Sequence, residues 1–277
     1  MPRTIVTHSY KGGTGKTLFT MNLSTCLAQK GYRVVILDMD LSAPSIHSFL
    51  PKYLLDDYPK INESLLQDVP IEKTLIDFSP FVNSTGKLWI GVSSNKTEDI
   101  LRTTRRNANE FNQDASKLFQ WISLLKSNPY NADFIIIDTS PGISFSSINC
   151  VATADIAYVL FRLLKSDITG TGEMLEGLHS KMGCEIRLVP NQVPENYIKD
   201  QKIQSKIRRI LSDSLGIESN PDMILDRMLV QEPLITQNEI DKILSNKDGT
   251  REIHITNPTD SRFKETILQI CNALKDS

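Results

Sequence analysis

The chain has 277 residues, of which 40% are hydrophobic and 23% charged, and its formal net charge is −2. A chain of this length and composition can bury the large core of a globular protein. The slightly negative net charge excludes binding to nucleic acid through an overall positive field, so any DNA contact would need a local basic patch.

Cysteine usage and hydropathy predict a cytoplasmic protein without a direct membrane anchor. The four cysteines form no C-x-x-C pair, which favours buried thiols over disulfides or a metal site. No apolar run approaches ~18 residues, and the N-terminus lacks a signal-peptide pattern. Because so few residues precede the first strand-like run, we expect no N-terminal helix-turn-helix module. The cysteines are Cys26, Cys150, Cys184 and Cys271.

The N-terminal stretch combines a predicted strand at 3–8, the loop K-G-G-T-G-K-T at 11–17 and a helical pattern. This order is typical of a phosphate-binding P-loop, whose backbone N–H groups and helix N-terminus surround an anion. Lys16 would reach the outer phosphates, and the Thr17 hydroxyl would bind Mg²⁺. The predicted nucleotide-binding residues of this loop are Gly12, Gly13, Thr14, Gly15, Lys16, Thr17 and Leu18.

Apolar runs alternate with helical stretches along the rest of the chain. A long helix is predicted from about residue 97 or later to residue 126, with Phe119 on its apolar face, and a final core helix at 261–274. Residues 51–87 are the least regular part. The pattern predicts an α/β fold with a doubly wound, mainly parallel sheet covered by helices on both faces, in one domain over 1–277. Further strands are predicted at 34–37, 88–92, 134–137, 156–161 and 186–189.

Acidic residues follow two of these predicted strands: Asp38 and Asp40 after one, Asp138 after another. Ligands in such sheets bind beyond the carboxyl ends of the strands, so we expect these carboxylates beside the P-loop. Asp138 fits the Walker B position that holds Mg²⁺, and Gly142 in D-T-S-P-G would offer its N–H to the terminal phosphate. We favour Asp38 for the metal and Asp40 for the attacking water, with the division between them open.

Lys11 precedes Lys16 by five residues, and an ordinary P-loop does not require it. The loop resembles the deviant Walker A motif of the MinD/ParA ATPases, and D-x-D and D-T-S-P-G are similar to that family's switch I and switch II. Asn191, in L-V-P-N-Q-V, matches the family's adenine-recognising asparagine. The resemblance implies an Mg²⁺-dependent ATPase that forms a homodimer around two ATP molecules. Lys11 would act in trans on the partner's nucleotide, in the manner of an arginine finger.

The resemblance further implies a nucleotide switch in chromosome or plasmid partitioning or in intracellular positioning, with a protein activator. D-M-D-L-S-A-P-S is closer to switch I of scaffold-type relatives than to the D-P-Q-G form of partition ATPases, which leaves the cellular process open. The alternative is a nucleotide-binding regulatory or scaffold module, including a metallocluster-carrier type, without significant hydrolysis. The sequence has no paired cysteines for a cluster, and because it ends A-L-K-D-S after a core-like helix we expect no basic C-terminal membrane helix like that of MinD.

A basic stripe follows Asn191 at helical spacing. Such a stripe can contact DNA phosphates non-specifically, although a solvated helix face is the favoured interpretation. The stripe comprises Lys199, Lys202, Lys206 and Arg209, with Arg208 beside it.

Overall fold

The computed structural model describes residues 1–179, 183–225, 228–231, 237, 240–241, 244, 250–256 and 261–276. Within these ranges the strands form one seven-stranded sheet in the order β3-β4-β2-β5-β1-β6-β7. All neighbouring strands are parallel except β3, which pairs antiparallel with β4 at one edge. The strands are β1 Arg3–His8, β2 Arg33–Met39, β3 Leu75–Asp77, β4 Lys87–Gly91, β5 Phe134–Thr139, β6 Ile156–Arg162 and β7 Glu185–Asn191.

Helices connect the strands and follow the last one. The described α-helices are α1 Lys16–Gln29, α2 Lys52–Asp56, α3 Ile61–Gln67, α4 Thr97–Thr104, α5 Ala108–Leu125, α6 Phe145–Ala152, α7 Lys165–His179, α8 Glu195–Ile198, α9 Gln201–Leu215 and α10 Arg262–Asp276. Short 3-10 turns lie at Ile46–Phe49, Ile71–Thr74, Ser79–Phe81, Pro221–Met223 and His254–Thr256.

Alternate residues of the central strands pack on opposite faces of the sheet, as the period of a strand requires. Ile5 and Ile136 belong to a buried cluster with residues of α1 and α10. Val6 and Ile137 belong to a second cluster with residues of α5 and α6. The predicted doubly wound, mainly parallel sheet with helices on both faces is therefore confirmed, whereas the single domain over 1–277 stays a prediction.

The predicted long helix is confirmed as α5, which begins at Ala108, later than residue 97, and ends at Leu125; the shorter helix α4, Thr97–Thr104, precedes it. Asn107 separates them, since its side chain accepts hydrogen bonds from the N–H groups of Asn109 and Glu110, and the Glu110 carboxylate accepts the N–H of Asn107. This capping box starts a new helix. The prediction that Phe119 lies on the apolar face of this helix is wrong, because 53% of this residue is exposed. Within residues 51–87, the three-residue β3 was too short for a recognisable alternation.

The sheet order brings the functional loops together. β1 lies between β5 and β6, and β2 lies on the other side of β5. The register aligns Asp38 of β2 with Asp138 of β5, and Thr7 of β1 with the same Asp138. The carboxyl ends of these three parallel strands therefore meet at one edge, where the P-loop begins.

Candidate functional site

The loop between β1 and α1 is held by the end of β7. The Asn191 Nδ2 donates to the carbonyl of Thr14 at 2.6 Å, and the Gln192 Nε2 donates to the carbonyl of Gly13 at 2.9 Å. Gly15 has a φ of 87°, and a Cβ at this position would lie 2.6 Å from Asn191 Nδ2. Only glycine fits this turn, because it tolerates both the left-handed backbone and the close approach.

An open pocket of about 410 Å³ lies above this loop. Seven predicted residues line it: Gly12, Gly13, Gly15, Lys16, Thr17, Leu18 and Asp40. The sequence did not single out the five other lining residues, which are Ala43, Ser45, Pro141, Gln192 and Arg251. A larger cleft of about 680 Å³ between α7 and α9 is lined by none of the predicted site residues, so volume alone would not identify the site.

Lys16 provides the positive charge of the pocket. Its residue is 7% exposed, and its Nζ donates to Ser9 Oγ at 3.1 Å. Burial, followed by the charge of Lys16, lowers the pKa of His8 to about 3. His8 is therefore neutral at physiological pH, and its Nδ1 shares a hydrogen bond of 2.8 Å with Thr139 Oγ1. The arrangement places the Lys16 ammonium beside the glycine-rich loop.

Thr17 and the two buried aspartates supply oxygen ligands for a divalent cation. The Thr17 Oγ1 donates to Asp138 Oδ2 at 2.6 Å, and the Ser45 Oγ donates to Thr17 Oγ1 at 2.8 Å. The Oδ2 atom of Asp38 is buried and accepts no hydrogen bond within the described part of the chain. Hard oxygen donors of this kind suit Mg²⁺, so the residues present fit that ion.

Electrostatics favour a cation at the same place. Burial, followed by repulsion from Asp138 and Asp40, raises the pKa of Asp38 well above its usual value. Burial raises the pKa of Asp138 to about 6, although Lys16 and the hydrogen bond from Thr17 oppose this rise. Among the described residues no three His, Cys, Asp or Glu side chains could hold a metal by themselves. Mg²⁺ in proteins is usually shared between one or two carboxylates and the phosphates of a nucleotide.

Asp40 is fixed between the loops that follow β2 and β5. Its Oδ1 accepts hydrogen bonds from Ser42 Oγ at 3.0 Å, from the N–H of Ala43 at 3.1 Å and from Ser140 Oγ at 2.9 Å. Three donors on one oxygen hold the carboxylate at the wall of the pocket. Such a preorganised carboxylate can orient a water molecule or accept a proton.

Lys11 lies apart from the pocket lining. Its Nζ is 3.9 Å from Asp167 Oδ1, and its side chain is 40% exposed. Burial alone would raise the pKa of Asp167, but hydrogen bonds and charge from Arg162, with a smaller effect of Lys11, hold this pKa below its usual value. The Arg162 Nε donates to Asp167 Oδ2 at 2.7 Å. No motif or spacing in the sequence pointed to Arg162 or Asp167, which lie near Lys11 because β6 pairs with β1.

Two predicted ligand contacts are occupied by protein groups. The N–H of Gly142 donates to the carbonyl of Ser9 at 2.8 Å, so a contact to a phosphate would require this bond to open. Asn191 Oδ1 accepts the N–H of Gln192 at 2.7 Å, while its Nδ2 binds Thr14. Phosphate binding by Gly142 and adenine recognition by Asn191 therefore stay predictions.

The basic stripe lies on α9 and just before it. The Arg208 Nη2 donates to the carbonyl of Ile224 at 3.0 Å, and Lys199 pairs with Glu195 at 3.1 Å. Lys202, Lys206 and Arg209 are exposed. Arg208, predicted beside the stripe, is half-buried and its guanidinium binds the backbone, while DNA contact by these basic residues stays a prediction.

Comparison with known proteins shows the family to which the chain belongs. A family model described as an AAA domain matches residues 2–182, more than half of the chain. The putative septum site-determining protein MinD of Oltmannsiellopsis viridis is 27% identical over 225 residues, which cover 78% of this chain and 62% of that protein. The chain belongs to the MinD/ParA family of P-loop ATPases. It spans less than two thirds of the length of this MinD relative.

Two solved structures of similar proteins have the same fold. The MinD of Pyrococcus horikoshii complexed with Mg-ADP aligns with a TM-score of 0.68 and 19% identity, covering 99% of this chain and 96% of that one. A putative plasmid partition protein of Borrelia burgdorferi bound to AMPPNP aligns with a TM-score of 0.67 and 19% identity, covering 99% and 100%. At these identities the likeness establishes the MinD/ParA fold of the chain.

Proposed function

We propose that this MinD/ParA family member is an Mg²⁺-dependent ATPase that forms a homodimer around two ATP molecules and acts as a nucleotide switch. The observation that carries the proposal is the convergence of Lys16, Thr17 and three aspartates at the carboxyl ends of β1, β2 and β5. Mg-ADP in the Pyrococcus relative and AMPPNP in the Borrelia relative support ATP and Mg²⁺ as its ligands.

Each side chain of the site has a distinct proposed role. The P-loop N–H groups and Lys16 bind and orient the phosphates, and Lys16 stabilises the charge that develops during phosphoryl transfer. Thr17, Asp38 and Asp138 would hold Mg²⁺, which supplies further neutralisation of phosphate charge when bound. Asp40 orients the attacking water, because its carboxylate is rigidly held at the pocket wall.

The surface around Lys11 supports dimerisation. Ile143 and Phe145 are 56% and 59% exposed, and they lie within three residues of Gly142, whose N–H is bonded to Ser9 just before the P-loop. Leu164, which is 51% exposed, lies three residues before the Asp167 that pairs with Lys11. Exposed apolar side chains beside an exposed lysine favour burial against a second copy. The ion pair at 3.9 Å is weak enough for Lys11 to leave it and reach a partner's nucleotide.

Mixing two inactive variants tests this arrangement. Lys11→Ala lacks the lysine that would act in trans, and Asp40→Ala lacks the water-orienting carboxylate, so each alone should hydrolyse ATP at least about 100-fold more slowly than wild type. In an equal mixture, random pairing gives heterodimers with one complete site, and phosphate release should recover to about a quarter of the wild-type rate.

The matched control mixes Lys11→Ala with the double variant Lys11→Ala/Asp40→Ala, which supplies no lysine and should give no recovery. Light scattering with saturating ATP should show Asp40→Ala as a dimer. Recovery in both mixtures, or in neither, would contradict action in trans. Tight ATP binding by wild type without any turnover, even with a partner protein, would instead favour the regulatory or scaffold module.

Partitioning or positioning, a cytoplasmic location and a protein activator belong to the same proposal. The plasmid partition relative supports the first of these. None of the helices within the described ranges is long and apolar enough to cross a membrane. In this proposal the switch also binds non-specific DNA, through the exposed residues Lys202, Lys206 and Arg209 of the basic stripe.

Charge reversal on α9 tests DNA binding. We expect the triple variant Lys202→Glu, Lys206→Glu and Arg209→Glu to weaken ATP-dependent binding of non-specific duplex DNA at low salt. The slope of log affinity against log salt should become shallower by about 3, because three phosphate contacts are lost. Fluorescence anisotropy measures the affinity at low salt and its dependence on salt concentration. Lys52→Glu, Lys73→Glu and Arg102→Glu make the same charge change at exposed positions elsewhere and serve as control; equal losses in the two variants would contradict an α9 interface.

A further inference from the structure

Arg251 lines the proposed nucleotide pocket, although no motif of the sequence includes it and the family match ends at residue 182. Arg251 is more than 230 residues from the P-loop in sequence, and the fold places it in the same pocket. Leu18 and Ser45 line the same pocket. Arg251 is thus a cation added to the pocket from outside the P-loop and both switch loops.

The structure holds Arg251 firmly. Its N–H donates to the carbonyl of Ser48 at 2.8 Å. The Cζ of its guanidinium lies 4.9 Å from the ring centroid of Phe49, a residue that is only 2% exposed. A guanidinium packed on a buried aromatic ring loses little further freedom when it binds a ligand, so such a group is preorganised for binding.

The place of Arg251 in the pocket indicates which part of a bound nucleotide it can contact. Lys16 and Thr17 are proposed for the outer phosphates and Mg²⁺, and Leu18 is the next residue of α1. Leu18 and Arg251 line the same pocket as Lys16, so a phosphate chain whose outer end lies at Lys16 can present its inner phosphate to the Arg251 guanidinium. Guanidinium groups pair with phosphate oxygens through short, charge-assisted hydrogen bonds.

We propose that Arg251 binds the inner, α-phosphate of the nucleotide and so supplements the P-loop as a positioning residue. This inference rests on the proposed function, because it assumes that the pocket takes ATP and ADP. Arg251 is also joined to the turn at Ile46–Phe49, just after Ser45, which donates a hydrogen bond to Thr17. Nucleotide binding at Arg251 would therefore also steady the loop that carries Asp40 and Ser45.

Calorimetric titration of the full chain with ADP tests the proposal without relying on hydrolysis. Arg251→Met keeps a long stem for packing on Phe49 and removes the charge, and we expect about tenfold weaker ADP binding with less dependence on salt. Arg251→Lys, which keeps the charge, should lose less of the affinity for ADP than Arg251→Met. In ATP hydrolysis, Arg251→Met should raise KM more than it lowers kcat. Arg102→Met, at an exposed position of α4, is the matched control.

The possible results are distinct. Wild type that binds no adenine nucleotide would overturn the proposed function itself. Wild-type binding together with Arg251→Met affinity within twofold would overturn only the inference, as would a similar loss in Arg102→Met. Arg251→Lys as weak as Arg251→Met, with unchanged salt dependence, would contradict a phosphate contact and indicate stacking on the base. Thermal melting without nucleotide, compared among the variants, checks that each is folded.

Discussion

Replacing Lys16 with alanine is expected to lower kcat/KM for ATP by at least about 100-fold, the loss typical of removing one preorganised charge-stabilising donor. Lys16 is almost fully buried, bonds Ser9 and lies close enough to Asp138 to lower the pKa of that carboxyl. No other lysine lines the pocket among the described residues. Steady-state phosphate release and ADP titration together separate the lost chemistry from lost binding.

Lys30→Ala is the matched control for this substitution. Lys30 follows the last turn of the same helix, and its Nζ binds Asn272 Oδ1 at an exposed site. We expect Lys30→Ala to hydrolyse ATP at the wild-type rate. Full ATPase activity in Lys16→Ala would refute the proposed function. A comparable loss in both variants would indicate damage to α1 and leave no specific role for Lys16.

Asp138→Asn is expected to abolish Mg²⁺-dependent hydrolysis and yet to stabilise the nucleotide-free protein. The pKa of Asp138 is about 6 in the folded protein against a usual value of 3.8, mainly because the carboxyl is buried. The folded state therefore binds this proton more tightly than the unfolded state does. The resulting stabilisation is fully present below pH 3.8 and is lost as the pH rises through about 6.

At pH 8 the buried Asp138 carboxylate thus costs the folded state about 3 kcal/mol relative to its protonated form. An asparagine carries no such charge. Urea unfolding in EDTA should show Asp138→Asn up to about 3 kcal/mol more stable than wild type at pH 8, with the difference shrinking towards pH 4. Asp57→Asn, which removes an exposed carboxylate, should leave the stability unchanged at both pH values.

A destabilised Asp138→Asn at pH 8 would show that its hydrogen bonds with Thr17 and Thr7 outweigh the cost of the buried charge.

The expected opposite effects on stability and activity have one physical cause. Three carboxylates lie close together in a buried site: Asp38, Asp40 and Asp138. The raised pKa values of Asp38 and Asp138 reflect this burial and mutual repulsion. Mg²⁺ binding would relieve this repulsion, so the site would gain stability from its ligand.

Much of the fold was predictable because the central strands are buried on both faces. Continuous apolar runs mark such strands, and all six predicted ones overlap strands of the sheet, from β1 to β7. The boundary between α4 and α5 was harder to place, since Asn107 and Glu110 form a capping box between two helices that follow each other closely. The edge strand β3 is three residues long and therefore has no readable pattern.

The sequence by itself determined the P-loop, because a glycine-rich turn, Lys16 and Thr17 act through local backbone geometry that a few adjacent residues specify. It also indicated the aspartates, since they stand directly at the ends of strands. Only the tertiary structure decided which distant groups complete the site. Asp167 beside Lys11 and Arg251 in the pocket reach it through strand order and loop packing, and no spacing along the chain encodes those contacts.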